Sequence, residues 1–129
     1  TSFSELRREG LAKQRWNALH PAEKPRVSHV EEMLKGRKGP AIAATDYIKL
    51  HADSIRAFLP ARFTVLGTDG FGRSDTRANL RHFFEVNRYW IAVHALKALA
   101  DDGELPAAKV AEAIAKYGLD AEKPNPVTV

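Results

Sequence analysis

No cysteine occurs among the 129 residues, which removes disulfides, thiolate metal centres and cysteine nucleophiles together. Long apolar runs are missing too. None approaches the roughly 18 residues that cross a bilayer, and the opening TSFSELRREG lacks the charged-then-apolar order of an export signal. The expected setting is therefore cytoplasmic, with no membrane partner. Metal-ligand spacing is also lacking: His20, His29, His51, His82 and His94 are scattered, with no H-x-x-x-H or H-E-x-x-H pair to place two ligands on one helix face. No G-x-S-x-G elbow surrounds Ser74 and Ser54 falls mid-helix, so serine hydrolase chemistry has no signature. Internal repeats and low-complexity segments are absent as well.

What remains is ordinary globular material, 44% hydrophobic and 28% charged, enough for one domain. The net charge of +4 is uneven. Residues 1–50 hold ten Lys/Arg against six Asp/Glu, and the remainder is balanced at ten against ten. The densest basic piece, Lys35 to Pro40 (KGRKGP), reads as a loop from its glycines and proline. Such a loop can meet nucleic acid or an acidic partner. With no aromatic residues between the charges, a solvated turn is the simpler reading, and no nucleic-acid partner is expected.

Local signals divide the chain into helices and two short strands. Ser2 with Glu5, and Ser28 with Glu31, have capping-box spacing. The first predicts a short helix ending at Gly10, followed by a second over Leu11 to Leu19. The other predicts a helix burying Val30, Met33 and Leu34, with Gly36 at its end. Pro40 to Thr45 and Phe63 to Leu66 are short apolar runs bounded by breakers, as buried parallel strands are. After the first, Thr45 or Asp46 is expected to cap a helix carrying Ile48, Ala52, Ile55 and Leu59 up to Pro60. After the second, Asp75 is the expected N-cap for a helix with Leu80, Phe83 and Phe84 inward. Asn87 caps the next helix, apolar up to Gly103, and a last helix runs from Pro106 to Gly118. Ala121 to Val129 reads as a tail.

Six or so helices and two parallel strands make an α/β pattern. Two parallel strands alone leave both outer edges unpaired. The expectation is that partner strands lie upstream, the chain being the later part of one domain of a longer protein, to which a first residue other than Met conforms.

Two regions carry the candidate functional residues. In LGTDGFGRSDTR, Leu66 to Arg77, the spacing of Gly67, Gly70 and Gly72 is G-x-x-G-x-G, neither the dinucleotide fingerprint nor a P-loop. A helix start beside Arg73 and Arg77 can hold an anion; the alternative is a structural turn in which the glycines supply positive φ. Asp69 and Asp75 are expected to cap that turn and to pair with Arg73 or Arg77. The helix after Asn87 is apolar on more than one stripe, which implies two neighbours, the second expected to be another domain or a partner subunit. Tyr89, Trp90 and His94 are the interface candidates on it, since aromatics dominate interface energies.

Several segments together carry a family resemblance: RWNALHP (Arg15 to Pro21), ATDYIKLHADSIRAF (Ala44 to Phe58), LGTDGFGRSDTRANLRHFFEVNRYW (Leu66 to Trp90) and VAEAIAKYGLD (Val110 to Asp120). They resemble the extreme C-terminus of the homodimeric, bacterial-type pyruvate dehydrogenase decarboxylating component, a thiamine-diphosphate enzyme similar in plan to transketolase. Asn87 stands where the family has Asp, and His94 where a small residue is usual. The resemblance implies the later part of a three-layer, transketolase C-terminal-like α/β domain whose sheet is completed upstream. It also implies that thiamine diphosphate and magnesium belong to other domains, so that this segment binds neither and holds no catalytic residue. The implied partners are a second subunit of a homodimer and the dihydrolipoyl acyltransferase, for which the domain can serve as a docking module through residues such as Arg37 and Lys38. A free-standing anion-binding α/β protein is the other reading. On the resemblance, Phe71-Gly72-Arg73-Ser74 is similar to the F-G-x-S turn of transketolase, so Gly67, Gly70 and Gly72 are expected to shape a strand-to-helix turn.

Overall fold

The computed structural model describes residues 2–129. Two four-residue strands, β1 (Ala41–Ala44) and β2 (Phe63–Leu66), pair in parallel with Ala41 opposite Phe63 and Ala44 opposite Leu66. Side chains alternate across a strand. Ala41, Ala43, Phe63 and Val65 therefore share one face, where they meet Val30, Ala52, Ile55 and Phe58 in a first core. That face is covered by α1 (Phe3–Leu19), α2 (His29–Leu34), α3 (Lys49–Asp53) and the 3₁₀ turn Arg56–Phe58. α4 (Arg77–Phe83) leads into α5 (Arg88–Asp101), which packs along both strands and against α6 (Ala107–Lys116). A second core of Val93, Val110, Ala113 and Leu119 forms where α5 meets α6. The three-layer α/β arrangement expected from the sequence is thus present, and among the described residues the sheet has two strands.

Most element boundaries follow their sequence signals. Ser28 and Glu31 form a reciprocal capping box, and Gly36 sits at φ +74° beyond the helix end. Asn87 Oδ1 accepts from the N–H groups of Tyr89 and Trp90, so the start of α5 is capped as its sequence predicts.

Met33, expected inward on α2, is exposed, and the spans of two other helices depart from expectation. Gly10 does not end the first helix, for α1 runs unbroken over 17 residues. The glycine is there for packing: a Cβ on it would lie 2.4 Å from Cζ of Phe58, whose ring is only 3% exposed. The single helix from Thr45 to Pro60 is also absent. Neither Thr45 nor Asp46 caps it. Thr45 Oγ1 instead accepts from the Tyr47 N–H, and the α-helix is five residues long, followed by a 3₁₀ turn after Ile55. Its first N–H, that of Lys49, is met by the Asp69 carboxylate from 20 residues away.

Candidate functional site at the carboxyl ends of the strands

β2 runs into Gly67, which is buried, and the chain then folds over the loop that follows β1. The Thr68 N–H donates to the Tyr47 carbonyl at 2.9 Å, and the Thr68 hydroxyl donates to the Asp46 carbonyl at 3.0 Å. A Cβ at Gly67 would come within 2.6 Å of the Tyr47 oxygen and 2.8 Å of the Lys49 nitrogen. Two loops are clamped backbone to backbone here, and glycine is what permits the approach. Asp69 completes the clamp through its 2.9 Å bond from Lys49 N–H.

The three glycines are not equivalent. Gly70 adopts φ +119°, and a Cβ there would lie 2.3 Å from the Pro126 carbonyl oxygen. Gly72 has no positive φ and faces open space, so the positive φ expected of it is not found. Asp75 is not the N-cap either. Thr76 holds that position and accepts from the Asn79 N–H, while Asp75 accepts from the Thr76 N–H at 2.6 Å and from the Asn79 side-chain amide at 2.9 Å. Those two bonds hold the Asp75 carboxyl below its ordinary range, the Asn79 amide contributing most. The expected aspartate–arginine clasp does not form. Arg73 lies over the Phe83 ring at 3.8 Å, and the arginine that does find an aspartate here is Arg81, 3.5 Å from Asp46.

The segment read as a tail is part of the site. Lys123, with only 13% of its side chain exposed, donates to the Phe83 carbonyl at 2.7 Å and to Glu85 at 3.2 Å. Among the described residues Glu85 is the one non-glycine with positive φ, +62°, at the end of α4, where the Val86 N–H reaches back to the Arg81 carbonyl. Pro126 is buried against Gly70, and an Asn125 turn follows, with the Val127 N–H donating to Asn125 Oδ1. Pro-Asn-Pro is turn chemistry; that signal was available, but nothing local says where the turn docks.

On α5, Tyr89 and Trp90 are half-buried against the second core, Tyr89 lying 5.1 Å from the Tyr117 ring. Trp90 Nε1 is buried without a hydrogen-bond partner among the described residues. His94 is half-buried, and burial pushes its pKa down, with Lys49 adding to the fall and Glu85 opposing it. The two neighbours implied by the two apolar stripes of α5 are both within the chain, α6 and the strand pair.

Among the described residues no three His, Asp or Glu side chains cluster as metal ligands, and Asp69, the acid of the Gly-Thr-Asp-Gly run, is committed to the Lys49 N–H. The arrangement ties two loops, a helix turn and the last residues into one cluster.

The chain is 62% identical over 128 residues to the "Pyruvate dehydrogenase E1 component" of Cupriavidus necator, covering 99% of this chain and 14% of that protein. It is 61% identical to the protein of the same name from Pseudomonas aeruginosa and 52% identical to that from Escherichia coli K12, each over 98% of this chain and 14% of the relative. The chain thus spans about one seventh of the length of these curated relatives. Residues 1–87 match the description "Transketolase-like TK C-terminal domain". The chain belongs to this family of transketolase-like C-terminal domains.

Proposed function

We propose that the chain is the framework part of a pyruvate dehydrogenase decarboxylating component, a cytoplasmic homodimer. The parent decarboxylates pyruvate on thiamine diphosphate and magnesium and reductively acetylates the lipoyl group of the acyltransferase. The observation that carries this reading is identity of 52–62% sustained across 98–99% of the chain to three proteins of that name. The chemistry is assigned to other parts of the parent, and upstream strands extend the sheet.

Within that parent the chain supplies rigidity and subunit contacts. Tyr89, Trp90 and His94 are the residues proposed for contact, each retaining some exposure after α6 and the strands have packed. The test is purification of the full-length protein and measurement of pyruvate-dependent reduction of an external acceptor with thiamine diphosphate and magnesium present. Turnover of pyruvate is expected. Turnover of a sugar phosphate in its place, or none with pyruvate, overturns the reading. Sedimentation of the Trp90→Ala variant tests the contact role separately: a shift toward monomer is expected, and an unchanged dimer removes Trp90 from the interface.

A further inference from the structure

The two outer edges of the sheet differ. The Ala41 and Thr45 N–H groups donate to the Arg62 and Leu66 carbonyls at 2.8 and 3.0 Å, so alternate residues of β1 turn their backbone groups toward β2. Ile42 and Ala44 then face away from β2, and Phe63 and Val65 away from β1. No hydrogen bond among the described residues reaches the outward groups of Ile42 or Ala44, so the β1 edge is left for the upstream strands of the proposed parent. The β2 edge is occupied. Arg56 Nη1 donates to the outward Phe63 carbonyl at 2.5 Å, and its Cζ stands 5.1 Å from the centre of the Phe63 ring. Asp53 Oδ1 holds the same guanidinium, accepting from Nε at 2.8 Å and from Nη2 at 2.5 Å.

An exposed ion pair at i,i+3 contributes little to stability, and it does not account for the third bond, the one that crosses to the rim of the strand. The composition of β2 does. Phe63 to Leu66 (FTVL) has no charge, no Pro and no Gly, and Phe, Thr and Val are strong strand formers. Segments of this kind join other chains wherever their edge is open, and a charged side chain on the rim is one way folded proteins prevent it. A strand added to β2 would have to bond to Phe63 and Val65, displace the guanidinium and bring its own backbone against a cation. We propose that Arg56, oriented by Asp53, is an edge guard that closes the β2 side of the sheet to strand addition by a second copy of this chain. The guard stands on geometry alone; only the use of the β1 edge rests on the proposed function.

The test uses the full-length protein and two variants, Arg56→Gln and Arg56→Lys. Both break the forked pair with Asp53 and should lower the melting temperature, but only Arg56→Lys keeps a charge on the rim. Arg62→Gln, which breaks the Arg62–Asp102 pair, controls for destabilisation at a neighbouring arginine. Sedimentation well below the melting temperature is expected to show Arg56→Gln shifting to species larger than wild type, their share rising with concentration, while Arg56→Lys and Arg62→Gln sediment as wild type does. Hydrogen exchange over residues 63–66 should slow in the associated Arg56→Gln. Wild type gives a readout that needs no variant to fold: residue-level exchange should be faster at the outward Val65 N–H than at the Leu66 N–H, which faces β1. Arg56→Gln keeping the wild-type size at every concentration, Arg56→Lys associating as Arg56→Gln does, association without slowing over 63–66, or a wild-type Val65 as protected as Leu66 each overturns the guard. Loss of pyruvate turnover bears on the proposed function and leaves these readouts where they are.

Discussion

Gly70 and Gly72 stand two residues apart in one loop and carry different constraints. Gly70→Ala forces a side chain into positive φ and onto the Pro126 carbonyl. A cost of at least about 1–2 kcal/mol is expected from the backbone alone. Gly72→Ala meets no neighbour and an ordinary φ, so a change within about 0.5 kcal/mol is expected. Denaturant melts of both variants check the pair, and equal losses would show that glycine spacing rather than conformation matters. The sequence made the loop legible as a strand-to-helix turn, but it could not rank its glycines, because the rank depends on Pro126, 56 positions downstream. His94 permits a test by pH. Burial lowers its pKa below the ordinary 6.5, so the unfolded chain binds the proton more readily than the folded one. Its contribution is fully present above about pH 6.5 and is lost as pH falls below that value toward the depressed folded pKa. Melting temperature should therefore drop on acidification from pH 7 through 6, and His94→Gln should flatten that part of the profile. A variant with the wild-type slope would place the titrating group elsewhere.

At the scale of elements, helix α1 sets propensity against packing. Gly10→Ala gains about 1 kcal/mol of intrinsic helix preference. It also drives a methyl into the Phe58 ring, and overpacking of a core costs typically about 1–3 kcal/mol. Net destabilisation is expected, with Phe58→Leu relieving it in the double variant by more than additivity allows. If Gly10→Ala alone stabilises the protein, the ring is not held against the helix. This is also where sequence reading reached its limit. Capping boxes at Ser28, the cap at Asn87, both strands and the last helix were all readable, since each is written within a few residues. Gly10 looked like a stop because a glycine kept for a distant aromatic ring is locally identical to one kept for a turn. The start of α3 misled in the same way, its cap being Asp69 on another loop rather than Thr45 or Asp46 beside it.

Across the whole molecule, the last seven residues close a circuit that the element list does not reveal. Lys123 ties them to the carbonyl of Phe83 and to Glu85, and Pro126 seats on Gly70, so the glycine loop, the α4–α5 turn and the chain end share one cluster. Glu85 holds a positive φ that glycine would adopt more easily, and its ion pair with the largely buried Lys123 offsets that cost. Removing the ammonium while keeping the stem, as in Lys123→Met, leaves the Phe83 carbonyl and a half-buried carboxylate without their donor. A loss of about 1–3 kcal/mol is expected, the penalty of unsatisfied groups. Because Pro126 is held by the same segment, hydrogen exchange at Gly67 to Gly72 should accelerate as well, although Lys123 touches none of those residues through a hydrogen bond. Adding Glu85→Gly to Lys123→Met should recover part of the stability by relieving the backbone, yet leave the loop fast, since the anchor of the chain end is still missing. A slowed loop in the double variant, or a loop unchanged in the single one, would mean that the glycine turn and the chain end are stabilised separately.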